Sequence, residues 1–317
     1  MTARAKHVPW RAACLALAVA SAGCTTSGRG PPGPAAANRA AITVGSFDFP
    51  ESALLAYLYA GALAAKGYPV RVLPDLGTRE LVDPALMAGL VQLVPEYTGS
   101  ALEFASLGRI HAVASVTTTA TELTRSMAER GIITGRPAAA QDGNAIVVTA
   151  VTAARYRLRT ISDLARVARR LVFGGPPECP ERPYCLPGLR QVYGLRFRQF
   201  IPLDVGGPLT MQALVAGNIG VALLFTTDAG IRARHLVILA DNRGLQPAEN
   251  IVPVLWRVTA ARYPGVLAVL DAVSARLSTP ALVPLDAQVQ LDGRAPRAVA
   301  EHWLRAQGLG PARQGAP

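Results

Sequence analysis

The stretch Ala41-Ile-Thr-Val-Gly-Ser-Phe-Asp-Phe-Pro-Glu51 joins a short apolar run to the start of a helix. The run from Ala41 to Val44 predicts a buried strand, and Gly45-Ser46 supplies the turn after it. Pro50 has the fixed backbone angle that suits the first turn of a helix. Apolar residues then recur at the spacing of one helix face, at Leu54, Leu55, Leu58, Ala62 and Leu63. We therefore predict a strand–turn–helix unit here.

The same alternation continues along the chain. Ala145 to Val151 predicts a buried strand, and Thr160-Ile-Ser-Asp163 predicts a helix start, because its Thr and Asp side chains can cap a first turn. Further strands are predicted near 68–73, 91–94, 171–174, 197–202, 219–225 and 236–240, and further helices near 81–90, 116–131, 187–193, 209–217 and in the tail, 263–307. This order predicts an α/β protein with mostly parallel sheets.

Two sets of these units lie on either side of about residue 143, which predicts two lobes. In open α/β sheets, ligands bind beyond the carboxyl ends of the strands. A two-lobed protein of this class would therefore hold its ligand in the cleft between the lobes.

The composition indicates a folded chain that does not bind nucleic acid. Of the 317 residues, 50% are hydrophobic and 17% are charged, so the chain can bury a sizeable core. The net charge is +11, but the basic residues are almost all Arg, with Lys6 and Lys66 as the only lysines. No docking motif accompanies this charge, and we expect no nucleic-acid partner.

The N-terminal segment predicts export. Arg4, Lys6 and Arg11 are followed by an apolar stretch from Ala12 to Ala22, which is the pattern of a signal peptide, here 1–23. Cys24 follows Ala-Gly as in a bacterial lipobox, whose cysteine becomes the lipidated N-terminus. Ser21 stands where such motifs usually carry Leu, and an ordinary signal peptide that leaves Cys24 free is the alternative.

Residues 24–41 predict a tether. Thr25 to Asn38 (TTSGRGPPGPAAAN) is rich in Pro, Gly and small residues, which is typical of a flexible linker. A multi-chain acyl group on Cys24 would suffice for stable attachment. We therefore expect a domain held at the outer face of the bacterial cytoplasmic membrane.

Two further cysteines, Cys179 and Cys185, flank a Pro-rich loop. In an oxidising compartment a disulfide is the favoured state, and two free thiols are the alternative. Two cysteines without nearby histidines make a poor metal site, so we expect no bound metal.

Sequence motifs of catalysis are missing. His111, His235 and His302 stand apart from any metal-binding spacing, and the chain has no G-x-S-x-G, no P-loop and no Rossmann glycine fingerprint. Glu96 has no implied partner for a role as general base. We expect neither enzymatic activity nor a cofactor.

Several short blocks carry a family resemblance. In the first half they are Gly45-Ser-Phe-Asp-Phe-Pro-Glu51, Pro84-Ala-Leu-Met-Ala-Gly89 and Leu93-Val-Pro-Glu-Tyr-Thr-Gly99. In the second half they are Thr160-Ile-Ser-Asp-Leu-Ala165, Glu181-Arg-Pro, Leu186-Pro-Gly-Leu189, Tyr193-Gly194, Gln212-Ala-Leu, Phe225-Thr-Thr-Asp228 and Asn250 before Pro253. In this order they resemble the osmoprotectant-binding proteins, the glycine betaine/choline/carnitine-binding subunits of ABC importers, over roughly residues 42 to 309.

The resemblance implies a two-lobed periplasmic-binding-protein fold (type II) with a hinge and a ligand cleft between the lobes. The first lobe would combine 42–142 with 249–317, and the second would be 143–248. Ligand binding would close the cleft, and the closed form would dock on a membrane permease that is powered by a cytoplasmic ATPase.

The family pattern also implies a binding site. A trimethylammonium group is held by aromatic faces, and a ligand carboxylate by hydroxyl, backbone and Arg donors. Carried over by motif, Tyr97 is a cage residue, Thr98 hydrogen-bonds the carboxylate and Arg182 pairs with it. The predicted ligand-binding set is Phe47, Tyr97, Thr98, Asn144, Arg182, Met211, Glu249 and Asn250.

Four of these positions depart from the family pattern. Asn144, Met211 and Glu249 stand where aromatic residues are expected, and Phe47 replaces a lysine, so Tyr97 alone remains of four cage aromatics. One explanation is a shifted alignment, with new aromatic faces from Tyr184, Phe47 or Trp256. The other is a changed ligand: Glu249 could pair with a cation such as choline, or the cleft could hold a larger polar or aromatic solute. Met211 could also be a core residue.

Overall fold

The computed structural model describes residues 41–311. The predicted signal peptide, the predicted lipidation site Cys24 and the predicted linker up to residue 40 lie outside the described residues, and so does the end of the chain after Pro311.

The described chain forms two five-stranded sheets, which confirms the α/β prediction. The strands of the first sheet are, from one edge to the other, β2 (Val70–Leu73), β1 (Ile42–Gly45), β3 (Leu93–Tyr97), β10 (Ile251–Trp256) and β4 (Ile132–Thr134). Those of the second are β7 (Gln199–Pro202), β6 (Val172–Gly175), β8 (Val221–Phe225), β5 (Asn144–Thr149) and β9 (Leu236–Ile238). We call the part of the structure built on each sheet a lobe.

Both sheets are mixed, which corrects the expectation of mostly parallel sheets. In the first sheet β10 runs antiparallel to β3 and β4, and in the second β5 runs antiparallel to β8 and β9. The other pairings are parallel. Each antiparallel strand is the one by which the chain enters that lobe from the other. The chain arrives at the carboxyl ends of the parallel strands. To form another parallel strand it would first have to cross to the opposite end of the sheet, so it forms an antiparallel strand instead.

The two crossing segments lie side by side. Residues 135–143 lead from β4 to β5, and residues 239–250 lead from β9 to β10. Gln141 and Asn250 form an antiparallel bridge, and the amide of Asp142 donates to the carbonyl oxygen of Glu249 at 3.0 Å. The lobes are therefore joined by a narrow two-stranded connection.

Helices cover both sheets of the described region. They are α1 (Pro50–Ala65), α2 (Arg79–Met87), α3 (Thr98–Ala105), α4 (Val116–Ala128), α5 (Ala150–Tyr156), α6 (Leu186–Tyr193), α7 (Pro208–Val215), α8 (Ala229–Ala233), α9 (Arg257–Arg262), α10 (Val266–Ser274), α11 (Thr279–Gln290) and α12 (Pro296–Ala306). Helix α1 is buried on almost all sides, because β1, β3 and the C-terminal helices α10, α11 and α12 pack around it. The tail of the chain thus completes the core of the first lobe.

Two elements differ from their predictions. The strand predicted to reach Val151 ends at Thr149, because the Thr149 hydroxyl accepts from the Thr152 amide at 3.1 Å and caps α5. The capping pair Thr160 and Asp163 is present, but the turn it starts, Ile161–Arg166, is a 3₁₀-helix.

No single helix between residues 41 and 311 is both long and apolar enough to cross a membrane. One pair, α10 with α11, would be long and apolar enough when taken together, but its two helices meet at 90°.

The end of β10 is held by a close contact between a glycine and an aromatic ring. Gly89 follows α2 with φ +68°, and a Cβ at this position would lie 2.7 Å from Cζ2 of Trp256. Gly67, after α1, has φ +83°, and the structure describes no atom within 4 Å of the position its Cβ would take. The two glycines share a left-handed backbone conformation, which glycine adopts without strain, but differ in their surroundings.

We expect Gly89→Ala to destabilise the fold more than Gly67→Ala. Each substitution places a side chain at positive φ, which costs about 1 kcal/mol, and Gly89→Ala adds overlap with the indole, about 1–3 kcal/mol more. Urea unfolding followed by circular dichroism gives both free energies of unfolding. Equal losses in the two variants would show that the Trp256 contact does not constrain Gly89.

Candidate functional site

The carboxyl ends of the parallel strands of both sheets face a cleft between the lobes. Two cavities lie in it, one of about 50 Å³ and one of about 540 Å³. Their walls share Arg79, Ser100, Asn144 and Arg182, so they are neighbouring parts of one cleft. This is the position at which α/β sheets bind ligands.

Four aromatic rings line the small cavity. The Phe47 and Phe49 rings, in the turn between β1 and α1, are stacked with centroids 6.0 Å apart. Phe49 also lies 6.0 Å from the Tyr97 ring at the end of β3, and 5.1 Å from the Phe225 ring at the end of β8. Phe225 belongs to the second lobe and the other three to the first. The cavity therefore has apolar, electron-rich walls from both lobes.

Arg79 at the start of α2 lies against this aromatic group. Its guanidinium carbon is 5.0 Å from the centroid of Phe47. Its Nε and Nη2 donate to the two carboxylate oxygens of Glu96 at 2.9 and 2.8 Å. Burial alone would lower the pKa of Arg79, but the charge of Glu96 outweighs it and raises that pKa. The positive charge of Arg79 is thus already balanced by the carboxylate of Glu96.

Glu249 is buried in the wall of the small cavity, with 3% of its surface exposed. Its carboxylate accepts hydrogen bonds from the Gly99 amide at 2.9 Å and from the Ser100 amide at 3.0 Å. The Ser100 hydroxyl donates to it at 2.5 Å. Burial raises the pKa of Glu249 to about 7, against the lowering effect of the hydrogen bonds from Ser100. The carboxylate thus sits on the first turn of α3.

Glu51 connects the lobes beneath the aromatic rings. It accepts from the Tyr97 hydroxyl at 2.7 Å and from the Thr227 hydroxyl of the second lobe at 2.6 Å. The Thr227 amide donates to Asp142 at 3.0 Å. Burial and the charge of Glu51 raise the pKa values of Tyr97, Asp142 and Asp286. The floor of the cleft is therefore rich in carboxyl groups.

The rim of the cleft carries a second set of contacts between the lobes. Arg182 of the second lobe donates to Glu80 of α2, with Nη2 2.9 Å from Oε2, and lies 3.8 Å from Glu178. The Tyr184 hydroxyl donates to Glu103 of α3 at 3.1 Å and accepts from the Ala112 amide at 3.0 Å. Polar groups thus span the cleft on this side too.

Five of the eight predicted site residues line the small cavity, namely Phe47, Tyr97, Asn144, Arg182 and Glu249. Asn144 donates its amide hydrogens to Gln246 at 3.1 Å and to the Tyr184 carbonyl oxygen at 3.4 Å. Of the two alternative aromatic faces outside this set, Tyr184 lines the large cavity, whereas Trp256 packs on Gly89 at the far end of β10.

The other three predicted residues line neither of the two cavities. The Thr98 hydroxyl donates to the Ala248 carbonyl oxygen at 3.0 Å and accepts from the Asn250 amide at 3.1 Å, so it joins the start of α3 to the crossing segment. The Asn250 side chain donates to the Ala138 carbonyl oxygen at 2.8 Å. Met211 is buried in the core of the second lobe. The structure gives each of them a packing or bonding partner away from the cleft.

Sequence reasoning did not single out several residues of the cleft wall, including Phe49, Arg79, Ser100, Asp142 and Phe225. Phe49 and Phe225 both lie inside the blocks that carry the family resemblance. The aromatic residues inside those blocks were therefore the sequence signal that could have identified Phe49 and Phe225 as residues of the cleft wall. Arg79, Ser100 and Asp142 lie in the cleft wall because distant parts of the chain come together there. Sequence spacing alone does not reveal such contacts.

Two further predictions concern metals and cysteines. Among the residues that the structure describes, no group of three or more His, Cys, Asp or Glu side chains is arranged to hold a metal ion. The sulfur atoms of Cys179 and Cys185 are in contact, and their Cα atoms lie 5.3 Å apart, within the range of disulfides.

Known proteins resemble this chain over most of its length. Residues 40–306 match the family described as the substrate binding domain of the ABC-type glycine betaine transport system. The chain is 27% identical to the glycine betaine-binding protein YehZ of Escherichia coli over 276 residues, which are 84% of this chain and 90% of that protein. It is 26% identical to the glycine-betaine-binding protein of Pseudomonas aeruginosa over 273 residues, 83% of this chain and 87% of that protein.

A solved structure shows the same fold. The crystal structure of a glycine betaine/carnitine/choline ABC transporter protein superposes with a TM-score of 0.67 at 20% identity, covering 84% of this chain and 99% of that one. The match spans both lobes of the described structure. The chain therefore belongs to the family of substrate-binding domains of ABC-type glycine betaine transport systems.

Proposed function

We propose that this protein captures a quaternary ammonium solute of the glycine betaine or choline type between its lobes and delivers it to an ABC permease with its cytoplasmic ATPase. The observation that carries the proposal is the group of four aromatic rings, contributed by both lobes, around the small cavity. A trimethylammonium group has no hydrogen to donate, so aromatic faces are the partners that suit it.

Closure of the lobes is part of the proposal. We assign 42–142 with 249–317 to the first lobe and 143–248 to the second. A ligand between Phe49 and Phe225 would contact both lobes at once, because these rings lie on opposite sides of the cleft. Such a ligand favours the closed conformation, in which Glu51 binds Thr227 and Glu80 binds Arg182. The closed form is the one that the permease would recognise.

The large cavity favours a second candidate, a bulkier polar or aromatic solute on the same scaffold. Its volume is about 540 Å³, against about 50 Å³ for the aromatic cavity, and its wall includes Tyr184 and Glu103. A ligand with a small cationic head and a longer polar part would occupy both cavities.

The protein's location is a further part of the proposal. We infer an exported protein that is held at the outer face of the cytoplasmic membrane by lipid on Cys24, since Cys24 follows a signal-like segment and precedes a Pro/Gly-rich stretch. We also infer a disulfide between Cys179 and Cys185, which an oxidising compartment would preserve.

Replacing Phe225 by Leu should weaken the binding of quaternary ammonium solutes. Leucine keeps the apolar volume but removes the ring, and one cation–π contact in a dry site contributes about 1–2 kcal/mol, or about tenfold in affinity. Isothermal titration with glycine betaine, choline and carnitine measures the change. A thermal-shift screen of the same compounds identifies which of them bind.

Phe200→Leu is the matched control, because Phe200 lies on the edge strand β7 and packs near Phe173, outside both cavities. It should leave affinity unchanged. Failure of every quaternary ammonium compound to bind, together with binding of a larger solute, would favour the second candidate instead.

Cys24→Ala should release the protein from the membrane. In a bacterial host, the unmodified chain should sediment with membranes and incorporate labelled palmitate, because the acyl chains are attached to Cys24. Cys14→Ala is the control, since Cys14 lies within the predicted signal peptide and the variant should stay anchored. Label retained in Cys24→Ala would show that the lipid is attached elsewhere, and no label in the unmodified chain would show that the signal is an ordinary one.

A further inference from the structure

The position of Glu249 in the cleft resembles that of a bound ligand carboxylate. Its two oxygens receive the Gly99 and Ser100 amides at the first turn of α3, together with the Ser100 hydroxyl. Amides at a helix N-terminus and a hydroxyl are the donors that hold carboxylates in binding sites. Here these donors are satisfied by a carboxylate of the protein itself.

The arginines of the cleft are occupied in the same way. Arg79 donates two hydrogen bonds to Glu96, and Arg182 donates to Glu80. A ligand carboxylate that approached either guanidinium would have to displace a glutamate that the fold already holds there. Each displaced carboxylate would then stand beside the ligand's own, and like charges at short range oppose binding.

Acidic groups also outnumber basic ones along the walls. In the described structure the small cavity is lined by Asp48, Asp142 and Glu249, with Arg79 and Arg182 as its two cations. Four more glutamates line the large cavity, namely Glu80, Glu103, Glu178 and Glu181. Along the two cavities, seven carboxyl groups therefore face two guanidinium groups. The wall is suited to a ligand of net positive charge.

We propose that Glu249 is a built-in counter-ion that takes the place of the ligand's carboxylate, so that the cleft selects quaternary ammonium cations without a carboxylate, of the choline type, over betaine-type zwitterions. The proposal rests on the proposed function and deepens it. The aromatic rings hold the ammonium group, and Glu249 in the same wall supplies the negative charge that a betaine would carry within itself.

The test compares choline with glycine betaine by isothermal titration on the purified full chain. Choline should bind at least about tenfold more tightly, because displacing or opposing a held carboxylate costs more than about 1.4 kcal/mol. In Glu249→Gln the ratio of the two affinities should move toward betaine by about tenfold or more, since glutamine can still accept from the Gly99 and Ser100 amides but carries no charge.

Glu122→Gln is the matched control. It removes one negative charge from a partly exposed position on α4, where Glu122 pairs with Arg125 outside both cavities, and should leave the choline-to-betaine ratio unchanged. If Glu249→Gln does not fold, the comparison in the unmodified chain alone decides.

The outcomes separate this inference from the proposed function. Equal or tighter binding of betaine by the unmodified chain would overturn the counter-ion role of Glu249 and leave quaternary ammonium capture standing. An unchanged ratio in a folded Glu249→Gln variant would overturn it as well. Binding of neither compound would overturn both the inference and the proposed function.

Discussion

The hydrogen-bonded pair of chain crossings between the lobes is the constraint on which the rest of the structure depends. The Asp142 amide donates to the Glu249 carbonyl oxygen, and Gln141 pairs with Asn250. This pairing brings the chain into each sheet from the carboxyl ends of the other strands, which makes β5 and β10 antiparallel. It also delivers the side chains of Asp142 and Glu249 into the cleft. The segments that connect the lobes therefore also form part of the wall of the cleft.

Three buried carboxylates in the cleft, those of Glu51, Glu96 and Glu249, are tolerated because each has specific partners. An unpaired carboxylate at such a depth would lose several kcal/mol of solvation. Glu96 is held by Arg79 and by the Tyr97 amide, Glu51 by two hydroxyl groups, and Glu249 by the first turn of α3. Since these partners come from different elements and from both lobes, the same contacts that satisfy the charges also define the shape of the cleft.

The charge of the whole chain gives no guide to the charge of the cleft. The sequence carries +11 overall, yet carboxyl groups predominate along the two cavities. The arginines lie largely on exposed surfaces, and the two that reach the cleft are paired with glutamates. For the cationic solute that we propose, the local field inside the cleft matters more than the net charge of the chain, which salt screens outside.

The sequence by itself determined the α/β class, the order of the elements and the family, because strand and helix periodicities and the blocks at strand ends are local properties of the chain. It also predicted Phe47, Tyr97 and Glu249 as site residues, and all three line the small cavity. Only the tertiary structure decided that β5 and β10 are antiparallel, that Phe49 meets Phe225, and that Thr98 and Met211 face away from the cavities. The physical reason is distance along the chain. Glu249 and Ser100 are 149 residues apart, so their pairing depends on how the crossings bring the lobes together, and no local pattern encodes it.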